Sequence, residues 1–203
     1  MNLILNFQKI KLRLSRVPFM DHLLTADGVV TDPNKVRAIR DMPVPTDVKS
    51  LKRFLGMVTY LAKFLPNLSS VCEPLRRLEL KDAEWCWLPV HDEAVQSIKS
   101  LVCEAPVLKF YDVNREVTIE SDASLSGLGA SLLQEGQPVA FASRALTPAE
   151  SRYAQIEKEL LSVVFACERF DTYLYGRDVV HVKTDHQPQI GRASCRERVS
   201  SPV

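Results

Sequence analysis

Three acidic groups mark the chemistry this 203-residue sequence could perform. Asp122 closes the alternating run Val117-Thr-Ile-Glu-Ser-Asp122, and Asp185 closes a second one, Val179-Val-His-Val-Lys-Thr-Asp185. Between them lies the amphipathic run Tyr153–Cys167, which carries Glu157 and Glu159. Carboxylates on separate elements suit a divalent-metal phosphodiesterase, because a hard ion such as Mg²⁺ prefers oxygen ligands and keeps part of its water shell. Two such ions about 4 Å apart can activate an attacking water and stabilise the leaving oxygen. The bland alternative is ordinary, since Asp is common after strands and Glu is common on helix surfaces. Periodicity does not choose between the two glutamates. At about 100° per residue, the stripe Ile156, Leu160, Val163, Cys167 and Phe170 leaves Glu157 and Glu159 on opposite flanks.

The elements that would hold these groups follow from pattern. After Asp122 comes a small-residue turn and the apolar run to Gln134, the signature of a strand returning as a hairpin. Gln137–Arg144 reads as a third strand. Thr147-Pro148-Ala-Glu150 matches a capping box with proline at the first helical position, opening a long helix to about Tyr175, where Gly176 ends it. Val179–Asp185 is then a fourth strand. The order β-β-β-α-β indicates an α/β domain with antiparallel strands first and a crossover helix before the last strand.

Upstream the pattern is mostly helical. Residues 3–30 read as short strands, including the alternation Ile10–Leu14 and a hairpin turn at Ala26-Asp-Gly28. Asp32-Pro33 is a helix start, and Met42-Pro-Val-Pro45 ends that helix. Thr46 or Asp47 caps the next, whose apolar residues Leu51, Phe54, Leu55, Val58, Leu61 and Leu65 recur at helical spacing until Pro66. Leu68–Leu80 is a third helix, interrupted at Pro74. Trp85-Cys-Trp87 opens a linker-like segment, Asp92–Val102 is a further amphipathic helix, and Ala105–Tyr111 is extended. Lysines and arginines cluster between Lys35 and Lys81. They read either as solvated helix faces or as phosphate contacts.

Bulk properties exclude several classes. A net charge of +1 gives no global argument for nucleic acid, so any basic footprint is local. The 46% hydrophobic and 25% charged fractions are those of a soluble globular protein. Five cysteines without C-x-x-C spacing argue against a zinc site or a disulfide framework. No stretch approaches the ~20 apolar residues of a membrane span, and the apolar start Met1–Phe7 is too short for a signal-peptide core. An intracellular chain is expected.

The motifs, taken in order, resemble the end of the reverse transcriptase and the adjoining ribonuclease H domain of a gypsy-type LTR-retrotransposon polyprotein. Those that carry the resemblance are Phe19-Met-Asp-His22, Asp32-Pro-Asn-Lys-Val36, Leu51-Lys-Arg-Phe-Leu-Gly-Met57 and Tyr60-Leu-Ala-Lys-Phe64, then Trp85-Cys-Trp87 and Ala105-Pro-Val-Leu108. Glu120-Ser-Asp-Ala-Ser124, Ala142-Ser-Arg-Ala-Leu146, Glu157-Lys-Glu-Leu-Leu161, Tyr173-Leu-Tyr-Gly176 and Thr184-Asp-His-Gln-Pro188 complete the series. Each is weak alone, and the ordered series is specific.

The resemblance implies an α/β (α+β) fold: a helical thumb and connection region followed by a ribonuclease H-like mixed sheet with a crossover helix, truncated at its C-terminus. It implies boundaries at 1–30 (palm end), 31–82 (thumb), 83–112 (connection) and 113–189 (incomplete ribonuclease H-like domain). It makes Asp122, Glu159 and Asp185 the catalytic, metal-binding carboxylates, Glu159 being the glutamate of the family's Lys-Glu-Leu-Leu motif. Two Mg²⁺ or Mn²⁺ ions, an RNA:DNA hybrid substrate and the remainder of the retroelement polyprotein as partner follow from it. So does a cytoplasmic or particle-enclosed location. By position Ser124, Ser143, Arg144 and His186 are substrate neighbours, with strand-end packing as the competing role. Lys49, Lys52, Arg53 and Lys63 are expected on the nucleic-acid backbone.

Two departures qualify this. The paired-aspartate polymerase motif would lie upstream of Met1, so polymerisation is not expected, and Asp21 stands where the family usually has Gly. The resemblance also stops after Gln189, before the family's fourth carboxylate. Residues 190–203 read as a non-native tail similar to a translated sequencing adapter. The expectation is therefore a weakened nuclease or, from a different class, a nucleic-acid-binding remnant that does not cut. The sequence does not specify an oligomeric state.

Overall fold

The computed structural model describes residues 14–20, 22–80 and 83–184. Asp185, His186, Asp21, most of the Ile10–Leu14 run and the tail 190–203 lie outside the described residues. The chain opens with a small antiparallel sheet of β1 (Arg16–Phe19), β2 (His22–Thr25) and β3 (Val29–Thr31). At the β2–β3 turn Gly28 has a φ of +145°, and a Cβ there would lie 2.1 Å from the Leu108 carbonyl oxygen. That close approach lets the extended segment around Leu108 pair with Val29 by two backbone hydrogen bonds of 2.7 and 2.9 Å.

Local chemistry sets the helix boundaries. Asp32 caps α1 (Pro33–Arg40), its side chain accepting from the Asn34 N–H at 2.9 Å. Asp47, rather than Thr46, caps α2 (Val48–Tyr60), and Ser50 closes the box with it. The apolar spacing that continues to Leu65 is not one helix. The chain leaves α2 at Leu61, tightens into a 3-10 turn over Ala62–Phe64, and turns at Asn67 with φ +49°. The following segment splits into α3 (Leu68–Val71) and α4 (Glu73–Arg77), so the break falls at Cys72 and Pro74 sits in the first turn of α4, where its missing N–H costs nothing. α5 (Pro89–Cys103) completes the helical part. Its core is built on Leu51, Phe54, Leu65, Leu75, Val95 and Ile98, with Trp85 and Trp87 packed against it, their rings stacked at 5.5 Å.

The second core belongs to a four-stranded mixed sheet in the order β6-β5-β4-β7. β4 (Thr118–Ala123), β5 (Gly127–Gln134) and β6 (Gln137–Ala145) are antiparallel, and β7 (His181–Thr184) lies parallel to β4. The mixed α/β fold expected from the sequence is the fold observed. Ile119, Ser121 and Ala123 alternate inward on β4 while Glu120 and Asp122 face out. β5 is buried on both faces, because α6 (Gln155–Arg169) covers one and the helical part reaches the other.

The crossover differs from the single long helix expected from Thr147 to Tyr175. The Thr147–Glu150 box exists, with Thr147 N–H to Glu150 at 2.8 Å and Glu150 N–H to Thr147 at 3.2 Å, but it leads only into a 3-10 turn over Glu150–Arg152. Tyr153 and Ala154 are extended, and α6 starts afresh with Glu157 accepting the Ala154 N–H at 2.8 Å. After α6, Phe170 leads into α7 (Asp171–Leu174).

Candidate active site

Asp122 and Gly129 are cross-strand partners on β4 and β5. Their outward face forms one wall of a cleft of about 680 Å³, whose lining includes Pro66, Asn67, Asp122, Gly129, Phe141 and Lys183. The opposite wall thus comes from the turn between the 3-10 segment and α3. A Cβ on Gly129 would lie 2.1 Å from the Asn67 side-chain oxygen, so the glycine is what lets that turn lie against the sheet beside Asp122. Glu120 and Lys183, paired in register across β4 and β7, form an ion pair at 3.4 Å on the cleft rim.

Glu159 sits in the layer between α6 and β4, 8% exposed. Its Oε1 accepts from the Gln155 side-chain amide at 2.7 Å, and the same nitrogen donates to the carbonyl of Ala123, next to Asp122, at 3.0 Å. Its Oε2 is buried with no hydrogen-bond partner. An orphaned buried acceptor costs about 1–3 kcal/mol, more when charged, and a cation is the natural partner for it. Of the two glutamates that periodicity left open, Glu157 is occupied in capping α6 and exposed, while Glu159 is inside.

No hydrogen bond or ion pair joins Asp122 to Glu159, and among the described residues no three His, Cys, Asp or Glu side chains form a group that could hold a metal ion. The third carboxylate expected from the sequence, Asp185, directly follows the last described residue of β7, which runs parallel to β4 beside Asp122. The donor chemistry suits a hard divalent ion.

The other candidate residues are placed as follows. Ser143 accepts the Ser69 N–H at 3.0 Å, and the Ser124 and Ser70 hydroxyls lie 3.0 Å apart, so both serines join the sheet to α3. Arg144 grips Glu150 through two bonds of 2.7 and 2.8 Å and lies over the Phe165 ring at 5.5 Å. Lys49, Lys52 and Arg53 are exposed on α2, with Gly56 and Tyr60 following at helical spacing. Lys52, Arg53, Gly56 and Tyr60 line a groove of about 320 Å³ with Lys35 of α1. Lys63 lies over the Phe64 ring at 5.1 Å, and partial burial there lowers its ammonium pKa from the ordinary value. Asn67 and Gln155 did not emerge from the sequence pattern. The small-residue run around Gly127 and Gly129 was a usable signal of close approach, as was the i, i+4 spacing of Gln155 and Glu159.

Residues 87–181 match the family model for the RNase H-like domain found in reverse transcriptase. Over those residues the chain is similar to an RNase H-like domain of reverse-transcriptase type. It is 39% identical over 202 residues to the retrovirus-related Pol polyprotein from transposon opus of Drosophila melanogaster, covering 92% of this chain and 20% of that protein. It is 35% identical over 192 residues to the corresponding polyprotein from transposon 297 of the same organism, covering 92% and 18%. The transposon Tf2-3 polyprotein of Schizosaccharomyces pombe is 31% identical over 197 residues, covering 94% and 15%. The chain therefore spans one fifth or less of the length of these relatives.

Among solved structures, the foamy viral protease-reverse transcriptase in complex with RNA/DNA hybrid superposes with a TM-score of 0.74 at 23% identity, over 84% of this chain and 24% of that one. The same protein's dRH form with double-stranded DNA gives 0.73 at 24% identity, over 83% and 30%. These likenesses show that residues 87–181 and the helices before them share a fold with a viral reverse transcriptase. No helix among the described residues is long and apolar enough to cross a membrane.

Proposed function

We propose that this chain is a segment of a gypsy-type LTR-retrotransposon polyprotein whose RNase H-like domain hydrolyses the RNA strand of an RNA:DNA hybrid. Residues 31–82 would act as the thumb, 83–112 as the connection and 113–189 as the nuclease, inside the cell and alongside the rest of the polyprotein. The observation that carries the reading is the buried, unpartnered Oε2 of Glu159 on the helix packed against the strand that presents Asp122. Asp122, Glu159 and Asp185 would hold the ions. Bound Mg²⁺ or Mn²⁺ would supply activation of the attacking water and charge neutralisation at the leaving oxygen. Ser124 and Ser143 would act indirectly, by holding α3 against the sheet. The hybrid bound by the foamy viral relative supports the substrate class, and discrimination would rest on the 2′-hydroxyl and the shape of the hybrid.

The α2 face bearing Lys49, Lys52 and Arg53 favours backbone contact as the way a duplex is held. It also supports a second reading, a binding remnant that holds the duplex without cutting it. One assay separates the two: cleavage of a labelled hybrid in Mg²⁺ and in Mn²⁺. If the chain is a nuclease, Asp122→Asn lowers cleavage at least about a hundredfold, since even outer-shell partners of a metal ligand are worth about 10–100-fold. Binding without metal-dependent cutting, weakened by salt and by Lys52→Ala with Arg53→Ala, would overturn the nuclease reading and leave the remnant.

A further inference from the structure

We infer that Gln155 is a positioning residue for the metal-binding carboxylate Glu159, clipping the helix that carries Glu159 to the strand that carries Asp122. The inference rests on the nuclease reading above and deepens it. The geometry is specific. Gln155 opens α6, one turn before Glu159, and its Nε2 donates to Glu159 Oε1 at 2.7 Å and to the Ala123 carbonyl at 3.0 Å. Both amide hydrogens are then used, one on each element.

The consequence for Glu159 is asymmetric. One carboxylate oxygen is tied and the other, Oε2, is left buried without a partner. Because the clip is a neutral amide and not Arg or Lys, it orients the carboxylate without neutralising the charge that a cation would meet. A carboxylate held by an outer-shell hydrogen bond is pre-organised for metal, and loss of such a partner typically weakens metal affinity about 10–100-fold. A leucine at position 155 would keep the approximate volume and remove the donor. Since residue 155 is itself exposed, that change need not disturb the core.

The test is Mn²⁺ binding to the full 203-residue chain, followed by the electron paramagnetic resonance of free Mn²⁺, with hybrid cleavage against Mg²⁺ concentration as the second readout. Gln155→Leu is expected to weaken Mn²⁺ binding at least about tenfold and to shift the Mg²⁺ requirement upward in parallel. Its thermal midpoint in chelator is expected to fall by a few degrees, because the Ala123 carbonyl and Glu159 Oε1 lose their donor, so Mn²⁺ binding is compared well below both midpoints. In a Glu159→Gln background, Gln155→Leu is expected to add no further loss, because the amide acts only through that carboxylate. Unchanged Mn²⁺ binding in Gln155→Leu, with a parent chain that binds Mn²⁺ through Glu159, overturns the positioning role alone. A parent chain whose Mn²⁺ binding is indifferent to both Asp122→Asn and Glu159→Gln overturns the nuclease reading together with it. Should Gln155→Leu unfold in chelator, Gln155→Asn withdraws the amide by one methylene, and the same two outcomes decide.

Discussion

Glu150 shows how a single residue couples local structure to solution behaviour. The hydrogen bonds from Arg144 come first among the causes that hold its carboxyl down to about 2 from the usual 4.5, followed by the Thr147 N–H. A carboxyl whose pKa is depressed on folding stabilises the fold fully above its unfolded pKa, and loses that contribution as pH falls through the folded one. The window here runs from about 4.5 down to about 2. Glu150→Gln is therefore expected to lower stability at pH 6 and to flatten the fall in urea midpoint between pH 5 and pH 2, the two proteins converging at the acid end. An unaltered pH slope would show that the Arg144 pair contributes nothing to stability. Arg144 thus has a structural task at the end of β6, one of the two roles its position suggested.

At the scale of the element, α6 reverses the simplest rule of helix amphipathicity. Its apolar residues Ile156, Leu160 and Val164 point outward, whereas Lys158, Glu159, Ser162 and Ala166 face the sheet. Ser162 and Ala166 are fully buried on that side, with Lys158 and Glu159 at 5% and 8% exposed beside them. Leu160 is 47% exposed and Ala166 is 0% exposed, which sets opposite expectations for the two positions. Leu160→Gln should change the free energy of unfolding by no more than about 0.5 kcal/mol, and Ala166→Leu should destabilise by about 1–3 kcal/mol through overpacking. Equilibrium denaturation of the two variants checks this, and a costly Leu160→Gln would mean the stripe is covered in solution.

On the scale of the whole molecule, two cores meet along the outer face of β5 and β6. Phe141 of β6 packs into the helical core, Gly129 admits Asn67, and the Ser69–Ser143 and Ser70–Ser124 contacts close the seam. The cleft beside Asp122 exists only because the helical part supplies its second wall. Both tryptophans lie against the helical core, so their fluorescence reports that half, while strand signals in the infrared report the sheet. The two signals should change together in the parent chain. Phe141→Ala should destabilise by about 2 kcal/mol, on the scale of burying an aromatic side chain, and should separate the two transitions. Coincident transitions in the variant would show that the seam does not depend on Phe141.

What the sequence determined by itself was much of what depends on neighbours a few residues apart. The Asp27-Gly28 turn, the caps at Asp32 and Asp47, the Thr147–Glu150 box and the alternation that turns Asp122 out of β4 are all local exchanges of hydrogen bonds or faces. They appear in the structure where the residues placed them. Ordered motifs pointed to Glu159, yet periodicity could not separate it from Glu157, because an apolar stripe says which face is greasy and not which face the fold buries. Only tertiary packing decided that α6 presents Glu159 inward, that one long helix breaks at Tyr153 and another at Leu61, and that Asn67 meets Gly129 across 62 residues of chain. Such contacts depend on how two separately folded surfaces fit together, and no short-range spacing encodes that fit.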